Sequence, residues 1–242
     1  MVTSSPTNMV IPCIILAGGL GTRLQSAVPD RPKCLAPVGD QSFLEIQLGL
    51  LAQQGVTAFV LSLGHLAQQV VAEANRLRAR FDVRTVIEPS PLGTGGAIAF
   101  AMRSLGLDEV LITNGDTFLG GNLSAMLQPL DLPLQELTRM AVIHVPDRRR
   151  FGGVQAVGDR VTGFSEKGAC GPGWINAGLY RLHARVFDAQ QPGSAFSFET
   201  QILPVLAANG KLGACQIDGA FTDIGIPEEY YRFCSEHTEM PT

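Results

Sequence analysis

The chain has 242 residues, 45% of them hydrophobic, which is enough to bury a sizeable core in one large domain or two small ones. Its formal net charge of -4 gives no support to nucleic-acid binding, and its only basic cluster is a run of three arginines at 148–150. Five scattered cysteines without Cys-x-x-Cys spacing indicate neither a disulfide framework nor a zinc site and fit a reducing cytosol, and no apolar segment is long enough to span a membrane.

Residues 1–10 are polar and lack the basic start and long apolar core of a signal peptide. The remaining sequence contains no internal repeat and no low-complexity tract. We therefore expect a flexible leader at 1–10, a single domain at 11–242 and a cytoplasmic location.

The first half of the sequence alternates apolar strands with amphipathic helices. Residues 11–16 predict a strand buried on both faces. Ser42 has the form of an N-cap, with Glu45 reaching back to its N–H in a capping box. The further predicted elements are the end of this helix at Gly55, a strand at 58–63, a helix from 64 to about 80, a strand at 83–87, a helix at 95–105 and a strand at 109–113. This alternation indicates an α/β protein with a mainly parallel sheet covered by helices, and ligands are expected at the carboxyl ends of the strands.

The second half is richer in short strands. The predicted strands lie at 140–145, 154–157, 161–165 and 176–182, and two helices follow at about 199–209 and from Pro227 onward. We expect this mixed region to lie over the mouth of the first sheet as the wall of an acceptor pocket.

A glycine-rich stretch, Leu16-Ala17-Gly18-Gly19-Leu20-Gly21-Thr22-Arg23-Leu24, follows the first strand. Glycines can adopt positive φ and approach a ligand closely, and the flanking Arg23 and Lys33 offer cations to phosphate. A P-loop is excluded because no lysine follows the last glycine, and a dinucleotide fingerprint is excluded because Leu24 occupies the place of its third glycine. A phosphate-binding loop and a strand-to-helix turn without a ligand remain the two interpretations.

Three further stretches carry candidate chemistry. Asp116 follows the strand at 109–113, where a carboxylate can hold Mg²⁺, although Asn-Gly-Asp also forms ordinary turns. Glu166 and Lys167 pair a hydroxyl acceptor with a cation, as a sugar phosphate requires, although such pairs are also common in surface turns. Glu88, ahead of a glycine-containing loop, can accept from the adjacent donors of guanine, although that loop also reads as a simple helix opening.

These motifs together resemble the signature of the sugar-1-phosphate nucleotidyltransferase family, and the resemblance extends over about residues 11–232. It implies a Rossmann-like three-layer α/β/α fold with a mainly parallel, mixed central sheet and a small β-rich acceptor-pocket region. Residues from about 11 to 135 would form the nucleotide-binding half, and residues from about 136 to 242 the sugar-phosphate-binding half. Asp223, in an Asp-x-Gly-x-Pro element, would join Asp116 in binding Mg²⁺; its alternative is an N-cap or turn acid.

The resemblance also assigns residues to roles. It implies nucleotide binding by Leu16, Ala17, Gly18, Gly19, Gly21, Thr22, Arg23, Glu88, Gly93 and Thr94. It implies catalysis by Arg23, Lys33 and Asp116, and metal binding by Asp116 and Asp223. It implies sugar-phosphate binding by Asn114, Gly152, Glu166, Lys167 and Asn176.

The stretch Pro91-Leu92-Gly93-Thr94 resembles that of guanylyltransferases, so GTP is the expected nucleotide. Within the family, the motif combination most resembles that of members whose acceptor is D-glycero-α-D-manno-heptose 1-phosphate, so this acceptor is what the resemblance implies. A mannose 1-phosphate guanylyltransferase, a UTP-using relative and a non-catalytic nucleotide or sugar-phosphate sensor are the alternatives. The expected partners are these small molecules, with neither nucleic acid nor membrane, and a homo-oligomer is left open.

Overall fold

The computed structural model describes residues 11–133 and 135–238. The expected leader at 1–10 lies outside this range. In chain order the strands are β1 (Cys13–Leu16), β2 (Pro37–Val38), β3 (Gln41–Ser42), β4 (Ala58–Leu63), β5 (Asp82–Ile87), β6 (Glu109–Asn114), β7 (Thr117–Leu119), β8 (Thr138–Val145), β9 (Gly153–Val157), β10 (Arg160–Ser165), β11 (Gly173–His183), β12 (Leu212–Gln216) and β13 (Phe221–Asp223). The α-helices are α1 (Phe43–Gln53), α2 (Ala67–Leu77), α3 (Gly93–Leu105), α4 (Leu203–Ala208) and α5 (Pro227–Thr238).

Nine strands form one mixed sheet in the order β5-β4-β1-β6-β11-β8-β12-β10-β9. The strands β5, β4, β1 and β6 are parallel, as the alternation of strands and helices predicted, and β11 adds to β6 in the antiparallel direction. Strand β9 also pairs with β11 at Gly153 and Ile175, so the last five strands of the order close into a ring. The β-rich region is thus a continuation of the central sheet that folds back on itself.

Helices cover both faces of the sheet. Buried residues of α1 and α2 pack with β1 and β4 on one face, while those of α3 and α4 pack with β6 and β8 on the other. Parallel strands covered on both faces need apolar side chains in both directions, and this explains why Cys13, Ile14 and Ile15 in β1 are all fully buried. Helix α5 packs separately, in a cluster that joins its Phe233 to Leu24 at the end of the glycine-rich stretch and to Val28 just after it.

The start of α1 follows the prediction only in part. The hydroxyl of Ser42 accepts a hydrogen bond from the N–H of Glu45 at 3.2 Å, and Gly55 at φ 100° follows the end of the helix. The predicted return bond of the capping box is wrong, because the Glu45 carboxylate pairs with Arg76 and Arg80 instead. A buried carboxylate gains more from two guanidinium groups than from one backbone N–H.

Two helix boundaries also differ from the predictions. Helix α2 begins at Ala67, after a left-handed residue at Leu66, and it ends at Leu77 instead of about residue 80. The segment predicted as one helix at about 199–209 begins with a π-helical turn at Phe198–Ile202 before α4.

The register of the parallel strands places three loops at one edge of the sheet. Leu16 at the end of β1 lies opposite Ser62 of β4 and Asn114 of β6. Beyond it, the N–H of Ala17 donates to the carbonyl of Ser62 at 2.9 Å, and the N–H of Gly115 donates to the carbonyl of Leu16 at 3.0 Å. The loops that follow β1, β4 and β6 therefore meet at the carboxyl edge, as expected of a parallel sheet. Within the described ranges, no helix is long and apolar enough to cross a lipid bilayer.

Candidate active site

A cleft of about 720 Å³ opens at this carboxyl edge. Its walls come from the loops after β1, β4, β5 and β6 and from the start of α3. Of the residues predicted from the sequence, Leu16, Ala17, Gly18, Gly19, Lys33, Glu88, Gly93, Thr94, Asn114 and Asp116 line it. The predicted nucleotide-binding residues Gly21, Thr22 and Arg23 lie outside the lining of the cleft, beyond Leu20 on the same loop.

The glycines of this loop serve different purposes. Of Gly18, Gly19 and Gly21, only Gly21 uses the freedom to adopt positive φ, at 66°. A Cβ on Gly21 would stand 2.9 Å from the Cγ of Lys33, so its absence leaves room for the lysine stem. A Cβ on Gly18 would stand 2.9 Å from the backbone nitrogen of Gly64, which shows how closely the β1 and β4 loops approach each other.

The two predicted metal-binding acids come together. Strand β13 pairs with β7, with Asp223 opposite Thr117, and the N–H of Ile224 donates to the carbonyl of Asp116 at 2.9 Å. A Cβ placed on Gly225 would lie 2.7 Å from the Oδ1 of Asp223 and 3.5 Å from the Oδ2 of Asp116. Both carboxylates therefore border the same small space, which a side chain larger than glycine would fill.

Cations face this pair of acids. The Nζ of Lys33 donates to the Oδ2 of Asp116 at 2.9 Å. The Nη2 of Arg23 would lie 3.5 Å from a Cβ placed on Gly225, so it borders the same small space as the two acids. Burial and the negative charge of Asp116 raise the pKa of Asp223, while the Gly225 N–H, Lys33 and Arg23 act in the opposite direction. The local cations thus only partly offset the cost of two neighbouring acids.

The donor chemistry of this cluster fits a divalent cation. Magnesium usually takes one or two carboxylates and completes its octahedron with phosphate and water oxygens. Within residues 11–133 and 135–238, no three His, Cys, Asp or Glu side chains are grouped so as to hold a metal by themselves. Asp116 and Asp223 therefore suit an ion that arrives with a phosphate ligand, and they do not suit a closed structural metal site.

Glu88 lies in the cleft beside the β1 and β4 loops. Its Oε2 accepts from the N–H of Leu92 at 3.1 Å, and its Oε1 would lie only 2.3 Å from a Cβ on Gly64. Glycine at 64 is therefore needed for the carboxylate to occupy this position. Burial raises the pKa of Glu88, and the opposite effect of the Leu92 N–H is smaller, so this donor only partly offsets the cost of burying the ionised form.

Glu199 also belongs to this cleft, although no sequence pattern predicted it as a site residue. It lines the cleft, and its Oε2 accepts from the hydroxyl of Thr94 at 2.6 Å. The N–H of Phe198 donates to the same threonine oxygen at 2.9 Å, so Thr94 joins α3 to the π-helical turn. The contact of Glu199 with the cleft depends on long-range packing, which no local pattern in the sequence specifies.

The predicted sugar-phosphate residues are spread more widely. Asn114 lines the cleft, whereas Asn176 bonds within its own strand, donating to the hydroxyl of Tyr180 at 2.6 Å and accepting from the N–H of Gly178 at 3.0 Å. Glu166 and Lys167 are exposed after the end of β10 and lie outside the lining of the cleft. Gly152, just ahead of β9, also lies outside the lining. The roles predicted for these five residues stay predictions.

Comparison with known proteins identifies the family. The sequence model of the family described as nucleotidyl transferase matches residues 12–239. The chain belongs to this nucleotidyl transferase family. The predictions of family and of a mixed α/β nucleotidyltransferase fold are confirmed. Members of the nucleotidyl transferase family generally use a divalent metal, in agreement with the chemistry of the acid pair.

Individual relatives cover nearly the whole chain. The D-glycero-alpha-D-manno-heptose 1-phosphate guanylyltransferase of Aneurinibacillus thermoaerophilus is 35% identical over 217 residues, which are 90% of this chain and 94% of the relative. The protein of the same name from Campylobacter jejuni is 36% identical over 221 residues, with 91% and 97% covered. The crystal structure of HddC from Yersinia pseudotuberculosis complexed with GMP-PN has a TM-score of 0.81 at 33% identity and covers 94% of this chain and 99% of that chain.

The close fit around Gly225 gives a prediction for a nucleotidyl transferase. In Gly225→Ala the new Cβ would lie 2.7 Å from the Oδ1 of Asp223, so the flexible carboxylate moves while the backbone stays. Because a displacement of about 1 Å can cost roughly 100-fold in rate, we expect about that loss of kcat, measured as pyrophosphate release. Gly49→Ala on α1 is the control, since its Cβ would meet nothing within 4 Å. Equal rates for the two folded variants would contradict the importance of this space.

Proposed function

We propose that this chain transfers a guanylyl group from GTP to D-glycero-α-D-manno-heptose 1-phosphate and releases pyrophosphate. The observation that carries the proposal is the convergence of Asp223 and Arg23 on Asp116, which lines the same cleft as Lys33 and Glu88. The printed names of two relatives specify this guanylyltransferase activity, and HddC was crystallised with GMP-PN.

Asp116 and Asp223 are the residues that would hold the metal, which we propose to be Mg²⁺. When bound, Mg²⁺ supplies positive charge to the phosphate groups and helps to orient them. Their placement on either side of a shared space, with a raised pKa at Asp223, supports this assignment because a cation there would stabilise both ionised forms.

The glycine-rich loop and its cations would hold the triphosphate. Lys33 projects past Gly21 toward the acid pair, and the Arg23 guanidinium lies beside the same pair. An oxygen of the sugar phosphate attacks the α-phosphorus of GTP in line, a new P–O bond forms, and the bond to the β-phosphate oxygen breaks. Both reactants are anions and repel each other. The cations accelerate the step because they neutralise part of this negative charge and hold the two reactants together.

Glu88 would read the guanine base. Guanine presents two adjacent N–H donors, and the Glu88 carboxylate in the cleft has its Oε2 fixed by Leu92 and its Oε1 placed beside Gly64. Binding of those donors would favour the ionised form that burial disfavours. A uracil or thymine ring offers a single N–H on the corresponding edge, so it would compensate the carboxylate less well.

The acceptor would approach from the side of Asn114, the predicted sugar-phosphate residue that lines the cleft. We keep Gly152, Glu166, Lys167 and Asn176 as proposed acceptor-binding residues. Their support is the position of β9, β10 and β11 in the ring of strands that adjoins β6 at the carboxyl edge. The cytosolic location also stays a prediction, for which the support is the scattered spacing of the five cysteines.

A substrate matrix tests the proposed reaction. We expect pyrophosphate release to be fastest with GTP and the heptose 1-phosphate when GTP, UTP, dTTP, CTP and ATP are each combined with heptose, mannose and glucose 1-phosphates. Because one ring substituent changes only a few contacts, the preference for heptose over mannose should be about 10- to 200-fold. A higher kcat/KM with mannose 1-phosphate would make the chain a mannose enzyme, and no release with any pair would identify a sensor.

The base-reading role of Glu88 gives a second prediction. In Glu88→Gln the amide replaces a charged acceptor, so kcat/KM for GTP should fall about 10- to 100-fold while that for UTP changes little. Both values come from initial rates of pyrophosphate release. Glu73→Gln is the matched control, because Glu73 pairs with Arg76 on α2, outside the cleft. An unchanged ratio of GTP to UTP in Glu88→Gln would rule out the carboxylate as the base reader.

A further inference from the structure

We propose that Gln47 on α1 is a positioning residue that sets the geometry of the Asp116 turn. Its side-chain amide fastens the two ends of that turn together from beneath the cleft. This inference rests on the proposed function in one respect, because it takes Asp116 as the acid whose position matters.

The contacts of Gln47 bracket Asp116. Its Nε2 donates to the carbonyl of Asn114 at 2.8 Å and to the carbonyl of Thr117 at 2.7 Å. These two carbonyls belong to the residues on either side of Gly115 and Asp116, at the end of β6 and the start of β7. One amide group thus fixes the distance between the end of β6 and the start of β7, and Asp116 lies between these two points.

The orientation of this amide is determined by its surroundings. A flipped amide would set its oxygen against two carbonyl oxygens, so the Nε2 must face them. Gln47 is only 2% exposed, and its Oε1 is buried without a hydrogen-bond partner in the part of the chain that the structure describes. An unsatisfied buried oxygen costs stability, and an apolar side chain of the same size would avoid that cost. The two bonds to the turn are what an apolar residue could not supply.

The backbone alone leaves the turn incompletely fixed. The N–H of Gly115 is tied to the carbonyl of Leu16, and the carbonyl of Asp116 is tied to the N–H of Ile224. These bonds hold the turn to β1 and to the residue after β13, but neither joins the end of β6 to the start of β7. Gln47 makes that connection from a helix whose neighbouring residues Leu44, Leu48 and Leu51 are buried in the core. Gln47 therefore fixes the position of Asp116 relative to the packed helix α1.

The test compares Gln47→Met with Gln54→Met. Methionine keeps the length of the side chain and removes the amide group in both, which is the donor of Gln47 and the acceptor of Gln54. Gln54 is the matched control, since its Oε1 accepts from the N–H of Leu123 at 3.1 Å and so also ties the end of α1 to a loop, away from Asp116. Should Gln47→Met fail to fold, Gln47→Glu replaces it, because that nearly isosteric change sets an oxygen against the same carbonyls.

The first measurement uses the protein without nucleotide or metal. We expect amide hydrogen exchange in peptides covering residues 113–119 to be about tenfold faster in Gln47→Met and unchanged in Gln54→Met, because two buried bonds to the turn are lost. The second measurement is Mn²⁺ binding in the presence of GTP, followed by electron paramagnetic resonance. The half-saturating Mn²⁺ concentration should rise about tenfold in Gln47→Met only, with kcat lowered and the KM for both substrates within about twofold of the wild type.

The outcomes separate positioning from general stability. If Gln47→Met lowers the melting temperature but leaves exchange at 113–119 and Mn²⁺ binding as in Gln54→Met, Gln47 has only a structural role and the proposal is wrong. Faster exchange with unchanged Mn²⁺ binding also overturns it, since the turn would then move without effect on the ion. Asp116→Asn, measured alongside, shows whether the proposed function fails as well, because near-normal turnover in that variant would remove Asp116 from the reaction.

Discussion

The geometry of the site depends on two carboxylates, which the fold brings together at the edge of a sheet. Burial raises the pKa of Asp223, and the negative charge of the neighbouring Asp116 raises it further. Such an arrangement persists only when the surrounding fold enforces it and cations offset it. Lys33 and Arg23 supply part of that compensation, and a divalent ion with its phosphate ligands would supply the rest. The acid pair is thus suited to a divalent cation that binds together with the phosphate groups of a nucleotide.

The fold enforces this proximity through backbone pairing. Strand β13 lies antiparallel to β7, and this places the end of one strand beside the start of the other. Two glycines then remove the side chains that would keep functional groups apart. Gly64 admits the Glu88 carboxylate, and Gly225 admits the acid pair together with the Arg23 guanidinium. At both positions a Cβ would meet side-chain oxygens, so the choice of glycine follows from what lies opposite it.

Much of this arrangement could be predicted from local sequence, and part of it could not. The alternating strands and helices of the first half, and Asp116 at the end of a buried strand, follow from periodicity and from the geometry of parallel sheets. The partnership of Asp223 with Asp116 requires the long-range pairing of β13 with β7, so the sequence indicated it only through family resemblance. Glu45 was predicted as half of a capping box, but it forms ion pairs with Arg76 of α2 and with Arg80 in the turn after α2. The closure of the last five strands into a ring runs through the pairing of Gly153 in β9 with Ile175 in β11, which no local pattern marks.

The central claim is that one divalent ion is shared by Asp116 and Asp223 when the nucleotide is bound. The most direct test is a crystal structure grown with Mn²⁺ and a non-hydrolysable GTP analogue, with the ion located by its anomalous signal. If the two acids share the ion, a single peak will lie beside Gly225, within about 2.5 Å of a carboxylate oxygen from each acid and of a phosphate oxygen. An ion held by phosphates alone, or an Asp223 carboxylate turned away from it, would contradict the account.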